Sequence, residues 1–99
     1  MSKDEQDLEA EIVDKGLTAP RITPEMVDEE IVGAQYHVFE VSCLTVCCLT
    51  LRNGFTVIGQ SACASPENFD EDVGRKVSYS NARQQVRPFL AFRLRDQLA

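Results

Sequence analysis

Four cysteines and a single histidine are the residues of this chain whose chemistry could serve catalysis or metal binding. They are Cys43, Cys47, Cys48, Cys63 and His37. Structural zinc sites usually match one closely spaced pair of ligands with a second such pair. Cys43 and Cys47 have a suitable gap, but Cys63 has no close partner and His37 lies on a separate stretch. We therefore interpret the cysteines as small, reduced hydrophobic residues, and we predict no metal and no cofactor.

Catalysis by these groups would need a partner that the sequence does not supply. A cysteine nucleophile needs a neighbouring base, and His37 is the only imidazole in the chain. General acid–base catalysis needs side chains held within hydrogen-bonding distance of the substrate. The predicted strands give no reason for His37 to approach a cysteine. We therefore predict a binding protein with no catalytic residues, and keep a small enzyme of unknown reaction as a further alternative.

Charge is divided unevenly along the chain, whose net charge is −6. Residues 1–30 carry ten acidic and three basic side chains, whereas residues 74–99 carry six basic and one acidic. The acidic majority would repel duplex nucleic acid, which binds proteins through several basic contacts. Two interpretations of the basic segment stay open. It balances acids of its own chain, or it holds a small anionic ligand.

The N-terminal segment differs in character from the rest of the chain. Residues 1–22 are acidic with a weak apolar rhythm, which predicts a mostly mobile arm with at most a turn or two of helix. No secretory signal and no membrane-spanning apolar run is visible. Residues 23–99 are predicted to form a single α+β domain. It opens with a short helix over residues 24–32, because Thr23 and Pro24 suit a helix start.

The strongest local signal is a β-hairpin. The β-rich runs TVCCLTLR and FTVIGQSA flank Asn53-Gly54, and this pair favours a two-residue type I′ turn. That turn would place Leu49 opposite Ile58, and Cys48 opposite Gly59. A further strand is predicted over residues 36–41. The sheet is therefore a hairpin or has three strands.

Both faces of the predicted hairpin are apolar, so both need cover. One face would pack on the C-terminal helix, and the other could be buried by a second subunit, which predicts a homodimer. The C-terminal run is apolar along one side but contains Pro88, which lacks an amide hydrogen. We therefore expect a kinked helix in two pieces, 71–87 and 88–98. Gly59 leaves a gap that a ligand could use or an aromatic side chain of this helix could fill.

Two consecutive patterns occupy residues 45–98. The first reads T-x-C-x-L-x-L-x-N-G-F-x-V-x-G-x-S-A-C and is made by Thr45, Cys47, Leu49, Leu51, Asn53, Gly54, Phe55, Val57, Gly59, Ser61, Ala62 and Cys63. The second runs from Asn68, Phe69 and Asp70 through Gly74, Arg75, Lys76, Ser78 and Tyr79 to Ala82 and Arg83. In order and spacing they resemble a family of small tailed-phage proteins, the gene product 49 / gene product 66 family.

This resemblance implies a phage-encoded accessory protein that acts in the cytoplasm of the infected bacterial host. It implies no settled biochemical activity, so no catalytic residue can be carried over. Gln60 stands where such proteins often have an acid, so no role for a carboxylate transfers there. Polar positions near the junction of strand and helix are candidate ligand-binding residues, with bracing of that junction as the alternative. They are Ser61, Arg75, Lys76, Tyr79 and Arg83.

Two functions follow as hypotheses. The first is a non-enzymatic accessory protein that binds and modulates a host protein. Its acidic charge favours a basic target, and an apolar hairpin face would serve as the contact. The second is a counter-defence protein that sequesters a small anionic or nucleotide ligand.

Overall fold

The computed structural model describes residues 3–99 and confirms the α+β class. Three helices accompany one antiparallel sheet, whose strand order is β1-β2-β3. The elements are α1 (Lys3–Asp14), α2 (Pro24–Glu30), β1 (Ile31–Phe39), β2 (Leu44–Leu51), β3 (Thr56–Ala62), a 3₁₀ turn (Pro66–Asn68) and α3 (Glu71–Leu98). Within residues 3–99, no helix has the length and apolar character needed to cross a membrane.

The N-terminal segment contains more helix than its sequence predicted. Helix α1 makes about three turns, where we expected one or two. Helix α2 begins as predicted, because the Met26 amide donates to Thr23 Oγ1 at 3.3 Å. It ends at Glu30, two residues early, and β1 follows at once. The Arg52 amide donates to the Glu30 carbonyl at 3.0 Å and draws the chain into the sheet there.

The turn of the β2–β3 hairpin has three residues, so the predicted two-residue turn is wrong. The Gly54 amide donates to the Leu51 carbonyl at 2.9 Å, and the Leu51 amide donates to Phe55 at 2.8 Å. Gly54 has φ +89°, the left-handed conformation that follows the turn in three-residue hairpin loops. Asn53 Oδ1 accepts from the Phe55 amide at 2.9 Å and stabilises this longer loop.

The longer turn shifts the predicted register by one residue. Leu49 faces Val57 instead of Ile58, and Gly59 faces Cys47 instead of Cys48. Because side chains alternate along a strand, the shift changes which residues of β3 share a face with those of β2. The predicted cross-strand pairs are therefore wrong, although the hairpin itself is confirmed.

Helix α3 packs directly against the inner face of the sheet. Along it every fourth residue is buried, namely Gly74, Ser78, Ala82, Val86 and Leu90. They meet the buried positions Thr45, Cys47, Leu49, Leu51 and Val57 of the sheet. A Cβ on Gly59 would lie 2.1 Å from the Ala82 nitrogen. The gap predicted at Gly59 is therefore filled by helix backbone, not by an aromatic side chain or a ligand.

Helix α3 is continuous, so the predicted division into two pieces at Pro88 is wrong. Pro88 is exposed, and the carbonyl of Gln84 that it cannot bond belongs to an exposed residue. Val86 and Leu90, on either side of it, are both buried. Packing on the sheet therefore outweighs the loss of one hydrogen bond.

The outer face of the sheet has no helix over it in the part of the chain that the structure describes. Side chains alternate along each strand, so this face carries Phe39, Leu44, Val46, Cys48 and Ile58 among others. Phe39 and Ile58 are 46% and 60% exposed. The homodimer that this face predicts stays a prediction.

Candidate functional site

Three of the five candidate ligand residues lie together on one side of α3. Arg75, Lys76 and Tyr79 line a recess of about 450 Å³ with Asp72, and β1 contributes Tyr36. Tyr36 faces Cys47 across the β1–β2 ladder, on the inner side of the sheet. The sequence pattern did not single out Tyr36, because only strand pairing brings β1 beside the first turns of α3.

The recess has one cation committed to its own chain and one that is not. Arg75 donates to Asp72 Oδ1 and also lies 3.8 Å from Glu71 Oε2. Lys76 forms no ion pair with residues 3–99. Burial raises the pKa of Tyr36, and so do its neighbours Cys47 and Tyr79, so its hydroxyl stays protonated. The recess therefore offers an ammonium group beside two phenol rings.

Arg83 lies outside this recess and links three helices through hydrogen bonds to acidic side chains. Its Nε donates to Asp28 Oδ1 at 2.7 Å, and its two terminal nitrogens donate to the Glu5 carboxylate at 2.8 and 3.2 Å. It also donates to the Pro24 carbonyl at 3.3 Å. The hydrogen bond to Asp28, followed by that to Glu5, raises the pKa of Arg83. Arg83 therefore joins α1, α2 and α3 instead of meeting a ligand with Arg75.

Ser61 is also separated from the recess. It pairs with Thr45 across the β2–β3 ladder, whereas Tyr36 belongs to β1. Two strand spacings therefore separate the strands of Ser61 and Tyr36, roughly 10 Å. The five candidate residues do not form one site.

A second cluster gathers around Glu30, which is only 1% exposed. Its carboxylate accepts from Arg93 at 2.9 and 3.2 Å and from Arg52 at 3.2 Å. The hydrogen bond from Arg93 lowers the pKa of Glu30; burial opposes this, and the bond from Arg52 adds to it. Arg83 and Arg93 of the basic segment therefore balance acids of their own chain, which was one of the two interpretations left open.

Helices α1 and α2 together present an acidic surface, and α1 lies within the segment 1–22 that was predicted as an acidic arm. Glu5 reaches Arg83, and Glu9 Oε1 lies 2.7 Å from Arg21, so both carboxylates face the body of the protein. No residue of α1 is buried. Its apolar Leu8 and Val13 are 54% and 69% exposed. Glu5 and Glu9 are four residues apart, so they lie on the same face of α1. This spacing is the sequence signal that could have predicted the contact of α1 with the rest of the protein.

The exposed residues that we take as this surface are six acids with three apolar residues among them. They are Asp4, Asp7, Leu8, Glu11, Val13 and Asp14 on α1, and Glu25, Met26 and Glu29 on α2. Arg83 binds both Glu5 of α1 and Asp28 of α2, so the two helices approach each other at this side chain. We call these nine residues the acidic surface.

The cysteines do not form a metal site in the described chain. Residues 3–99 contain no group of three or more histidine, cysteine or acidic side chains that could hold a metal ion. All four cysteines are free thiols. Cys47 is buried within the sheet, and Cys48 lies on its outer face.

Comparison with known proteins identifies one family. The family model described as "Phage protein (N4 Gp49/phage Sf6 gene 66) family" matches residues 22–98. The match covers α2, the sheet and α3, and it begins after α1. No curated protein and no solved structure matches the chain. The resemblance noted over residues 45–98 is thus confirmed and extends back to residue 22.

Proposed function

Because the chain belongs to this family of phage proteins, we propose that it is a non-enzymatic accessory protein that binds a host protein in the cytoplasm of the infected cell. The observation that carries the proposal is the acidic surface of α1 and α2. A helix of this length is marginal alone in water, yet α1 contributes no buried residue to the fold. Its exposed apolar side chains are available to a partner.

The exposed area of the whole chain supports a binding role. The structure exposes 7030 Å², against roughly 5,700 Å² for a compact monomer of this length. Its radius of gyration is 16.0 Å, against about 13 Å for a compact domain. The projecting helices account for part of this excess, and a partner that covers them would remove apolar surface from water.

The partner that fits this surface is a basic protein surface with apolar side chains between its charges. Asp7 and Asp14 make no ion pair with residues 3–99, so their charge is available to a partner. Opposite charge accelerates association and orients the partner, while the exposed Leu8 and Val13 would supply buried area. Binding should therefore weaken as ionic strength rises.

The experiment compares two charge-reversed variants as baits in lysate of the host. The test variant is Asp7→Lys with Asp14→Lys, which leaves Glu5 and Glu9 to hold α1. The control is Glu40→Lys with Glu67→Lys, which makes the same change in net charge at exposed positions outside the acidic surface. We expect wild type and control to retain one host protein, and the test variant to bind the purified partner at least about ten-fold more weakly.

Two results would contradict the proposal. One is a host lysate that yields no protein specific to the wild-type bait. The other is a partner that binds the test variant and the control equally well, since the acidic surface would then play no part.

A second candidate function rests on the recess at Tyr36. The Lys76 ammonium suits the phosphate of a nucleotide and the two phenol rings suit stacking on its base, and a volume of about 450 Å³ is ordinary for a ligand pocket. At a concentration near 100 times the Kd, such a ligand should stabilise the fold by about 2.7 kcal/mol. Thermal shift against a nucleotide panel measures this. Lys76→Glu should abolish the shift and Lys3→Glu should keep it; no shift with any nucleotide excludes this function.

A further inference from the structure

Cys43 and Cys63 occupy the open end of the β2–β3 ribbon, opposite its tight turn. Leu44 pairs with Ala62 in the last rung of the ladder, and Cys43 and Cys63 are the residues that adjoin this rung on the two strands. Paired residues of antiparallel strands have Cα atoms roughly 4.5–5.5 Å apart, which lies within the range that a disulfide spans. The two cysteines therefore flank a rung of suitable spacing at the end of the ladder.

The side chains of this pair are in contact and reachable from solvent. Burial raises the pKa of the Cys43 thiol, and so does its hydrogen bond to Cys63. Both residues are partly exposed, whereas Cys47 is buried. Cys43 also has φ +56°, a left-handed conformation that is uncommon outside glycine and is often found at functional positions.

We propose that Cys43 and Cys63 form a reversible thiol–disulfide site that closes the end of the hairpin under oxidising conditions. The oxidant is a small-molecule disulfide of the glutathione class. One cysteine thiolate attacks a sulfur of that disulfide and releases one small thiol, which leaves a mixed disulfide on the protein. The second cysteine then displaces the second small thiol, forms the Cys43–Cys63 bond and loses its proton. The protein is oxidised by two electrons and the small disulfide is reduced to two thiols.

Either cysteine can supply the attacking thiolate, and the other then resolves the mixed disulfide. In the reducing cytoplasm the pair remains a dithiol, and it closes when the glutathione pool is oxidised.

The test uses the full-length protein equilibrated with an excess of oxidised glutathione and then analysed under non-reducing conditions. We expect the protein mass to fall by about 2 Da, two of the four thiols to disappear, and peptide mapping to link residues 43 and 63. The matched control is Cys48→Ser, which removes an outer-face thiol and should leave the linkage unchanged. Reduced glutathione should restore all four thiols.

Two single variants test the resolving step. Cys43→Ser should accumulate a glutathione adduct on Cys63, and Cys63→Ser should accumulate one on Cys43, because in each variant the resolving thiol is gone.

Two results would overturn the proposal: four thiols that survive oxidation, or a link between any other pair. Thermal unfolding gives an independent readout, since a disulfide that closes residues 43–63 restricts the unfolded chain. The oxidised wild type should melt at least about 5 °C above its reduced form. Cys43→Ser should show no such difference.

Discussion

Gly59 shows how a single missing side chain sets the distance between sheet and helix. A Cβ at this position would lie 2.1 Å from the Ala82 nitrogen and 2.5 Å from the Ser78 carbonyl oxygen. Both are backbone atoms of α3, so no side-chain rotation could relieve the clash. The small residues Gly74, Ser78 and Ala82 along the buried side of α3 allow the same close approach from the helix.

Gly59→Ala should therefore push α3 away from the sheet and destabilise the fold. We expect a loss of about 3 kcal/mol in the free energy of unfolding, measured by urea titration. Gly33→Ala is the matched control, because its Cβ would meet only Thr50 Cβ at an ordinary 3.9 Å. Equal stability of the two variants would show that the helix does not depend on Gly59 for its position.

At the scale of the elements, ion pairs hold α2 between the sheet and α3. Glu30 ends α2, Arg52 follows β2, and Arg93 lies near the end of α3. One buried carboxylate thus joins three elements through charge-assisted hydrogen bonds, which are stronger than neutral ones. Arg83 does the same for α1 and α2 at the middle of α3.

Glu30→Gln should destabilise the protein by about 2 kcal/mol at pH 7. A broken buried ion pair usually costs more, but Arg93 and Arg52 have side chains 44% and 61% exposed and can be rehydrated. Glu29→Gln, on the exposed side of α2, is the control and should change stability little. Denaturant titration of the three proteins provides the comparison.

The stabilisation that Glu30 gives the fold depends on pH, and the direction of its pKa shift sets the sign of this dependence. The pKa of Glu30 is lowered in the folded protein, so its stabilisation is present above the unfolded value of about 4.3. It is lost as the pH falls through the lower folded pKa. The stability gap between wild type and Glu30→Gln should therefore be widest near neutrality and shrink below about pH 4. A gap that stays constant down to pH 2 would rule out an ionised Glu30.

At the scale of the whole molecule, the outer sheet face is the region where two copies of this chain could meet. Across the three described strands, its positions carry no aspartate, glutamate, lysine or arginine. Two chains of net charge −6 repel each other, so an uncharged apolar face is where association is least opposed. The acidic surface lies on the helical side and stays free in such a dimer.

We expect a homodimer at micromolar concentration, measured by size-exclusion chromatography with light scattering. Ile58→Lys places a charge on the outer face of each copy and should give a monomer. Phe92→Lys is the control, because Phe92 is 72% exposed on α3, and should remain a dimer. A wild-type monomer under these conditions would leave the outer face without a second copy.

Local patterns predicted those parts of the fold that depend on neighbouring residues. Thr23 and Pro24 marked the start of α2, Asn53-Gly54 marked a hairpin, and the acids at 70–72 marked the start of α3. These signals are local because caps and turns are satisfied within a few residues. The C-terminal motif likewise brought Arg75, Lys76 and Tyr79 together, since they lie within about one helical turn.

Contacts between distant residues decided the rest. The hairpin turn has three residues instead of two, so the strand register differs by one from the predicted register. Packing of Val86 and Leu90 on the sheet keeps α3 continuous at Pro88. Arg83 binds acids that are distant in the chain and so lies outside the recess, whereas strand pairing places Tyr36 in it. Composition and short spacing cannot report such contacts, because their free energy comes from groups that only the folded backbone brings within hydrogen-bonding or van der Waals distance.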